Sequence, residues 1–476
     1  MNIRPGRARV ALWTVAALVA AGMLLRAPRL AESLWYDEIA AFTTHAQSGP
    51  GAIASSFSEP SNHIAHTLLS WCSVEILGDT LGLELALRLP ALLFSLAAIG
   101  AMWGLAAQVL APRPAALAAG LMAVLPVTVL EGAEARGYSM MICFSALASW
   151  TLLANVRRER GWRWVLYAAL CVAGVWVHFV TALLPIGHAI WLGWSAARGR
   201  HRALAFRGAV ALAAAAVISI ALYAPALPDL LAARGMYVAA RGDEPRVLGV
   251  QGFHALLQLG GSWYAWAAAP GLALAALGAV AASRAQGPSP NLREAGAVTL
   301  LGLPVFGLAV LLAGSWMYAR FALFSLPGAV LFMAAGLDGI WVRSRAAGVT
   351  ACVLVATASM ADLAVRPARQ PLRDAATLVR DRIGEDESIL VIGLAHRVID
   401  VYLADLDPQY SLMHGADLEW RLTADPDWIV LYYPNSVSQA NHALLKTRGY
   451  EPVERFPGWA DWGNGDVIVL KKAGGL

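Results

Sequence analysis

The sequence predicts a mainly α fold: a polytopic membrane bundle that ends in a small α/β domain outside the bilayer. Three observations predict it. Of the 476 residues, 58% are hydrophobic and only 14% charged, where a soluble chain carries about a quarter charged residues. Apolar runs long enough to cross a bilayer recur throughout residues 1–366, and the mean hydropathy is +0.56. From residue 367 onward charged residues return, and short apolar strands alternate with amphipathic helices.

Runs of about 20 apolar residues read as spanning helices. They fall at 9–26, 88–109, 114–131, 138–155, 162–179, 180–197, 205–224, 262–282, 296–315, 320–341 and 346–365, which makes about eleven spans. The opening "MNIRPGRARV" resembles a signal peptide, but the run behind it has no small-residue cleavage pattern, so a retained first helix is expected. The stretch 63–77 is short and polar at one end; its Leu and Trp residues suit a helix lying in the interface.

Charge sets the orientation. With the N-terminus in the cytoplasm, the cytoplasmic loops hold Arg4, Arg7, Arg9, Arg113, the groups Arg157–Arg163 and Arg198–Arg207, then Arg284, Arg293, Arg343 and Arg345. Counting 63–77 as a span would invert all the later ones. Arg26 and Arg29, at the outer end of the first helix, go against the rule. The arrangement fits a bacterial inner (cytoplasmic) membrane, with 1–366 as the membrane module and 367–476 as an extracytoplasmic α/β domain. In that domain "SILVIG", "DWIVLYYP" and "GDVIVLKK" read as strands and "SVSQANHALLKTRGY" as a helix. It has no G-x-G-x-x-G loop and no P-loop, so no nucleotide site is read there. A net charge of +4 does not suggest a nucleic-acid partner. The four cysteines lie in apolar segments without metal-site spacing, which excludes a disulfide framework as the organising device.

The same topology gathers polar residues at the outer face, where ionisable groups are costly unless they have partners or a task. The long outer loop 28–87 carries Asp37 and Glu38 in "SLWYDEIAAF", on a short amphipathic helix. Ser33 could cap that helix, and acids suit its first turn. Farther along the loop, Asn62, His63 and His66 open the interfacial helix. Two histidines three apart share a helix face, as metal ligands would, but H-x-x-H occurs often by chance, and substrate contact or interfacial packing is the more frequent reading of it. A divalent ion on His63 and His66 is the one cofactor candidate. In "EGAEARGYSMM", Glu134, Arg136 and Tyr138 stand at a span end, where a Glu could position an Arg toward phosphate. Tyr318 and Arg320 sit at another outer end, where Arg320 could instead snorkel to headgroups. His178 in "VWVHFV" reads as a hydrogen-bonded interfacial residue before it reads as a catalyst. A carboxylate beside several cations could deprotonate a hydroxyl while the cations stabilise a departing lipid phosphate.

The order W-x-D-E, then N-H before an apolar helix, then "LALRLPALLFSL", "EARGYSMM" and "YARFALFSLPG" resembles GT-C-type glycosyltransferases. Within these it is similar to bacterial members related to protein O-mannosyltransferases and the lipid A aminoarabinose transferase. The resemblance covers roughly residues 30–370. It implies transfer of a sugar, with inversion, from a polyprenyl-phosphate carrier to a glycan, lipid or protein acceptor at the extracytoplasmic face. It also implies Asp37 as general base, Glu38 as support of the acceptor or an ion, and Arg88 near the carrier phosphate. Glu134, Arg136 and Tyr138 match the family's E-A-R-x-Y element, and Arg320 its late outer arginine. Where many relatives read H-P-P-L-Y-Y, this chain has Asn62-His63-Ile64-Ala65-His66, which leaves the acceptor class open. Two competing expectations are a transporter or flippase of polyprenyl-linked substrates, and a ligase or polymerase using a diphosphate-linked glycan. Transport would call for inverted repeats and charges at the bilayer centre.

Overall fold

The computed structural model describes residues 5–57, 62–232, 250–284, 291–313, 318–394, 398–412, 417–460 and 464–473. Arg4 of the N-terminal basic group lies outside the described residues. The chain forms two compact units. One comprises Met1–Leu30 and Ser48–Ala364, the other Ala31–Gln47 with Val365–Leu476.

In the first unit, nine helices among the described residues are long and apolar enough to cross a membrane: Arg9–Leu30, Leu83–Ala106, Tyr138–Arg157, Phe179–Ala197, Arg202–Ala232, Ala265–Arg284, Leu292–Leu312, Ala319–Arg343 and Arg345–Val365. Gly161–Val177 is apolar but shorter. The remaining expected span, 114–131, is broken into Pro112–Val124 and Pro126–Glu131. The helix expected at 63–77 extends over Ile64–Leu81 and is not among the nine.

The break at 125–126 follows from local chemistry. Pro126 has no N–H to give the Met122 carbonyl, and Val127 N–H donates to Gly261 O (2.9 Å) instead of Ala123 O. Two carbonyls are therefore orphaned in apolar surroundings, where each would cost about 1–3 kcal/mol. Thr128 Oγ1 donates to Met122 O at 2.8 Å. The wholly buried Arg26 supplies the rest: Nη1 donates to Ala123 O (3.2 Å) and Gly22 O (2.8 Å), Nη2 to Met122 O (3.5 Å) and Thr128 O (3.0 Å), and Nε to Ser95 Oγ (2.8 Å). Arg26 thus departs from the charge rule because it is hydrogen-bonded inside the bundle.

Glycines let helices Ala265–Arg284 and Leu326–Arg343 approach closely. A methyl at Gly278 would fall on the Phe332 carbonyl, and one at Gly336 on the Leu274 carbonyl, the small-residue packing that favours close membrane helices.

The second unit contains a five-stranded sheet of order β2-β1-β3-β5-β4. The strands are β1 (Ile389–Gly393), β2 (Gln409–Leu412), β3 (Trp428–Tyr432), β4 (Tyr450–Phe456) and β5 (Val467–Lys472). β1 runs parallel to β2 and β3, while β5 is antiparallel to β3 and β4. The continuous apolar runs of β1 and β3 are buried along their whole length, as central parallel strands require. Edge strand β4 accommodates Pro452 beside a bulge between Pro452 and Glu454.

The glycine contacts generate a prediction. Gly336→Leu should lose most folded, monodisperse protein by size-exclusion chromatography in detergent, whereas Gly193→Ala, with open space around it, should elute like the native chain. Equal yields would contradict the close helix contact.

Candidate functional site

One cluster forms where several spans end together. Tyr138 begins helix Tyr138–Arg157, His178 follows helix Gly161–Val177, Arg320 lies in the 3-10 turn Ala319–Ser325, and His63 precedes helix Ile64–Leu81. The ring of His63 stands edge-on to Tyr138 (centroids 4.9 Å) and to His178 (4.7 Å). The Arg320 guanidinium lies over Tyr138 (5.2 Å) and Tyr318 (5.1 Å), and Phe321 packs edge-on against His178 at 5.1 Å. His63, Arg136, Tyr138 and His178 are all buried.

Backbone donors fix the histidine tautomers. Gly137 N–H donates to His63 Nδ1 at 2.8 Å, and Val180 N–H to His178 Nδ1 at 3.3 Å. A neutral imidazole accepting at Nδ1 carries its proton on Nε2. Burial first, and then the charge of Arg136, push both histidines well below their ordinary value, His178 to about 3. His63 Nε2–H therefore faces Arg136 Nη2 at 3.3 Å, donor against donor. An anion's oxygen placed between two such buried donors would accept from both.

The other residues singled out from the sequence lie differently. Asn62 Nδ2 donates to Ile53 O (3.0 Å) and Ser56 O (2.8 Å). Arg88 Nη1 donates to Arg29 O (3.3 Å) and Leu30 O (3.1 Å), at the end of the first helix. The backbone carbonyl of Glu134 accepts from Arg136 N–H at 2.7 Å, setting the turn before Tyr138. His66 Nδ1 lies 3.5 Å from Ser70 Oγ.

Asp37 and Glu38 belong to the second unit, in helix Tyr36–Thr44. Ser33 does not cap that helix. Its hydroxyl donates to Gln370 O at 2.7 Å, and the residue at the cap position is Trp35. The buried Glu38 carboxylate turns back to accept Trp35 N–H at 3.1 Å, while Asp37 is half-exposed. Sequence reasoning missed the backbone donor at Gly137; it read His178 as hydrogen-bonded, and His178 Nδ1 accepts Val180 N–H. An isolated histidine at the end of an apolar run carries no signal of what the other spans bring to it.

Residues 62–227 match the family model described as dolichyl-phosphate-mannose-protein mannosyltransferase. That stretch takes in His63, Arg136, Tyr138 and His178. The whole chain is similar in structure to apo ArnT from Cupriavidus metallidurans, with a TM-score of 0.56 at 13% identity over 97% of this chain and 98% of that one.

The fold is GT-C.

ArnT bound to undecaprenyl phosphate gives a TM-score of 0.54 at 14% identity, covering 98% of both chains. Among GT-C structures, the Archaeoglobus fulgidus oligosaccharyltransferase in complex with zinc and sulfate gives 0.55 at 13% identity, covering 92% of this chain and 71% of that one. No curated protein sequence matches the chain. His63 Nδ1 accepts Gly137 N–H, and its Nε2 lies 3.3 Å from Arg136 Nη2. Among the described residues, no group of three or more His, Cys, Asp or Glu could hold a metal ion.

The depressed histidines set a pH dependence. Below about pH 6.5 the unfolded chain binds protons that folded His63 and His178 refuse, so stability is complete above that value and falls as pH falls. The thermal midpoint in detergent should drop between about pH 8 and about pH 5.5, and His178→Gln should flatten the drop. An unchanged slope in the variant would count against a buried neutral His178.

Proposed function

We propose that this chain is an integral-membrane glycosyltransferase that moves a sugar from a polyprenyl-phosphate carrier to an acceptor hydroxyl. The proposed site lies at the extracytoplasmic face of a bacterial cytoplasmic membrane, with the N-terminus inside. The observation that carries the reading is the convergence of His63 Nε2–H, Arg136 and Arg320 at one end of the spans. That donor set suits a phosphate oxygen, and tyrosine and histidine rings line the approach. The family match over 62–227 and the GT-C fold support it.

In this reading Asp37 accepts the proton of the acceptor hydroxyl as its oxygen attacks the anomeric carbon. The bond from that carbon to the phosphate oxygen breaks on the opposite face, inverting the configuration. The electron pair leaves with the polyprenyl phosphate, whose charge the two arginines and the His63 N–H stabilise. Positioned bases contribute about 10²–10⁴-fold, and donors to a developing anion about 10²–10³-fold each.

The transport reading is weaker on one specific ground. An ionisable residue inside a span is by default a functional candidate, yet the guanidinium of Arg26 is engaged with carbonyls and a hydroxyl of the bundle itself.

Release of undecaprenyl phosphate from a panel of undecaprenyl-phosphate monosaccharides, measured by thin-layer chromatography, tests the reading. Asp37→Asn should reduce turnover by about 10²–10⁴-fold while the protein still folds; turnover near the native rate would sink the base assignment. Arg320→Met should weaken retention of undecaprenyl phosphate by about tenfold or more, in keeping with a lost charge-assisted contact. Undiminished retention would remove Arg320 from the phosphate site.

A further inference from the structure

Helix Tyr36–Thr44 has a defect at its start that its own sequence does not repair. The first N–H groups of a helix need acceptors; the carbonyl of the cap residue Trp35 takes Glu38 and Ile39 N–H at 3.0 Å, but its indole has no acceptor for Tyr36 or Asp37. Glu38 serves Trp35 N–H. The N–H of Tyr36 is served from 334 residues away, by the side-chain carbonyl of Gln370 at 3.0 Å.

Gln370 is wholly buried, and it holds the segment twice, because its main-chain carbonyl also accepts the Ser33 hydroxyl. Around it the same short stretch is tied residue by residue to the α/β unit. Tyr402 OH accepts Leu34 N–H at 2.8 Å, and Arg373 Nη2 donates to Ala31 O at 2.6 Å. The Arg369 guanidinium lies 3.9 Å over Trp35 and 4.4 Å over Trp459. The ring of Tyr36 packs on Tyr432 (6.5 Å) and Tyr433 (5.8 Å), at the carboxyl end of β3. Tyr433 is itself held at φ +56°, a left-handed conformation costly for a bulky residue and typical of over-determined sites.

We propose that the α/β unit is the mount for the acidic helix, and that Gln370 is the positioning residue that fixes Asp37 by capping the helix one residue before it. The inference deepens the transfer reading and rests on Asp37 acting in it. It gives the α/β unit a task that needs no ligand of its own: an ordered start to the helix sets the direction in which the half-exposed Asp37 carboxylate leaves it.

The test uses the full chain in lipid nanodiscs, with Gln370→Met to remove the acceptor and Gln370→Glu to keep an oxygen in its place. Gln370 Nε2 makes no hydrogen bond among the described residues, so the Glu variant forfeits no donor. Hydrogen exchange read by mass spectrometry should rise about tenfold in peptides covering 36–44 of Gln370→Met, as loss of a cap predicts, with peptides covering 138–157 unchanged. With the undecaprenyl-phosphate monosaccharide panel, kcat should fall at least tenfold while KM stays within about twofold, and Gln370→Glu should recover part of the loss. Native exchange and native kcat in Gln370→Met would overturn the proposal, as would a rise in KM with kcat unchanged. Should Gln370→Met fail to fold, Tyr402→Phe decides: faster exchange confined to 31–44 supports the mount, and no change there overturns it. Asp37→Asn run in parallel separates the two claims, since an active Asp37→Asn enzyme removes the base assignment itself.

Discussion

The membrane unit is organised around a carbonyl problem. A proline in the third apolar stretch cannot complete the helix, and the carbonyls it frees belong to the buried Met122 and Ala123. Arg26, donating five hydrogen bonds from the first helix, is the answer. Because the break is satisfied, the chain can leave its helical path after Glu131 and turn through residues 132–137 before resuming at Tyr138. The crowding is tight: a methyl at Gly132 would meet Ser95 and the Arg26 guanidinium. From this turn comes the Gly137 N–H that fixes the His63 ring, and beside it Arg136. A buried cation that looks misplaced in a charge count is thus a precondition of the cluster.

Much of the fold was legible in the sequence because membranes simplify the code. A run of apolar residues long enough to span reports itself without tertiary context, and the parallel strands β1 and β3, buried on both faces, read as unbroken hydrophobic runs. What the sequence hid was set by partners distant along the chain. Strand β4 carries Glu451, Pro452, Glu454 and Arg455, a composition that hides an edge strand until β5 pairs with it. Strand β2 is four residues long, with only Ser411 buried. Ser33 satisfied every local rule for a cap, yet tertiary contacts gave its hydroxyl another acceptor.

The candidate site divides in the same way. Charged residues at span ends marked Arg136 and Arg320, because an ionisable group there calls for an explanation. Arg88 and Asn62 were marked by the family resemblance, and both donate to backbone carbonyls. The donor-to-donor contact between His63 and Arg136 is the feature that no spacing rule would have found.

The central claim is that this cluster holds the phosphate of a polyprenyl carrier. Native mass spectrometry of the protein released from detergent, before any lipid is added, tests it most directly. The account predicts a co-purified adduct with the mass of a polyprenyl phosphate, retained by the native chain and lost from Arg136→Met. Adducts of ordinary phospholipids alone, or a polyprenyl phosphate held equally by the variant, would contradict it.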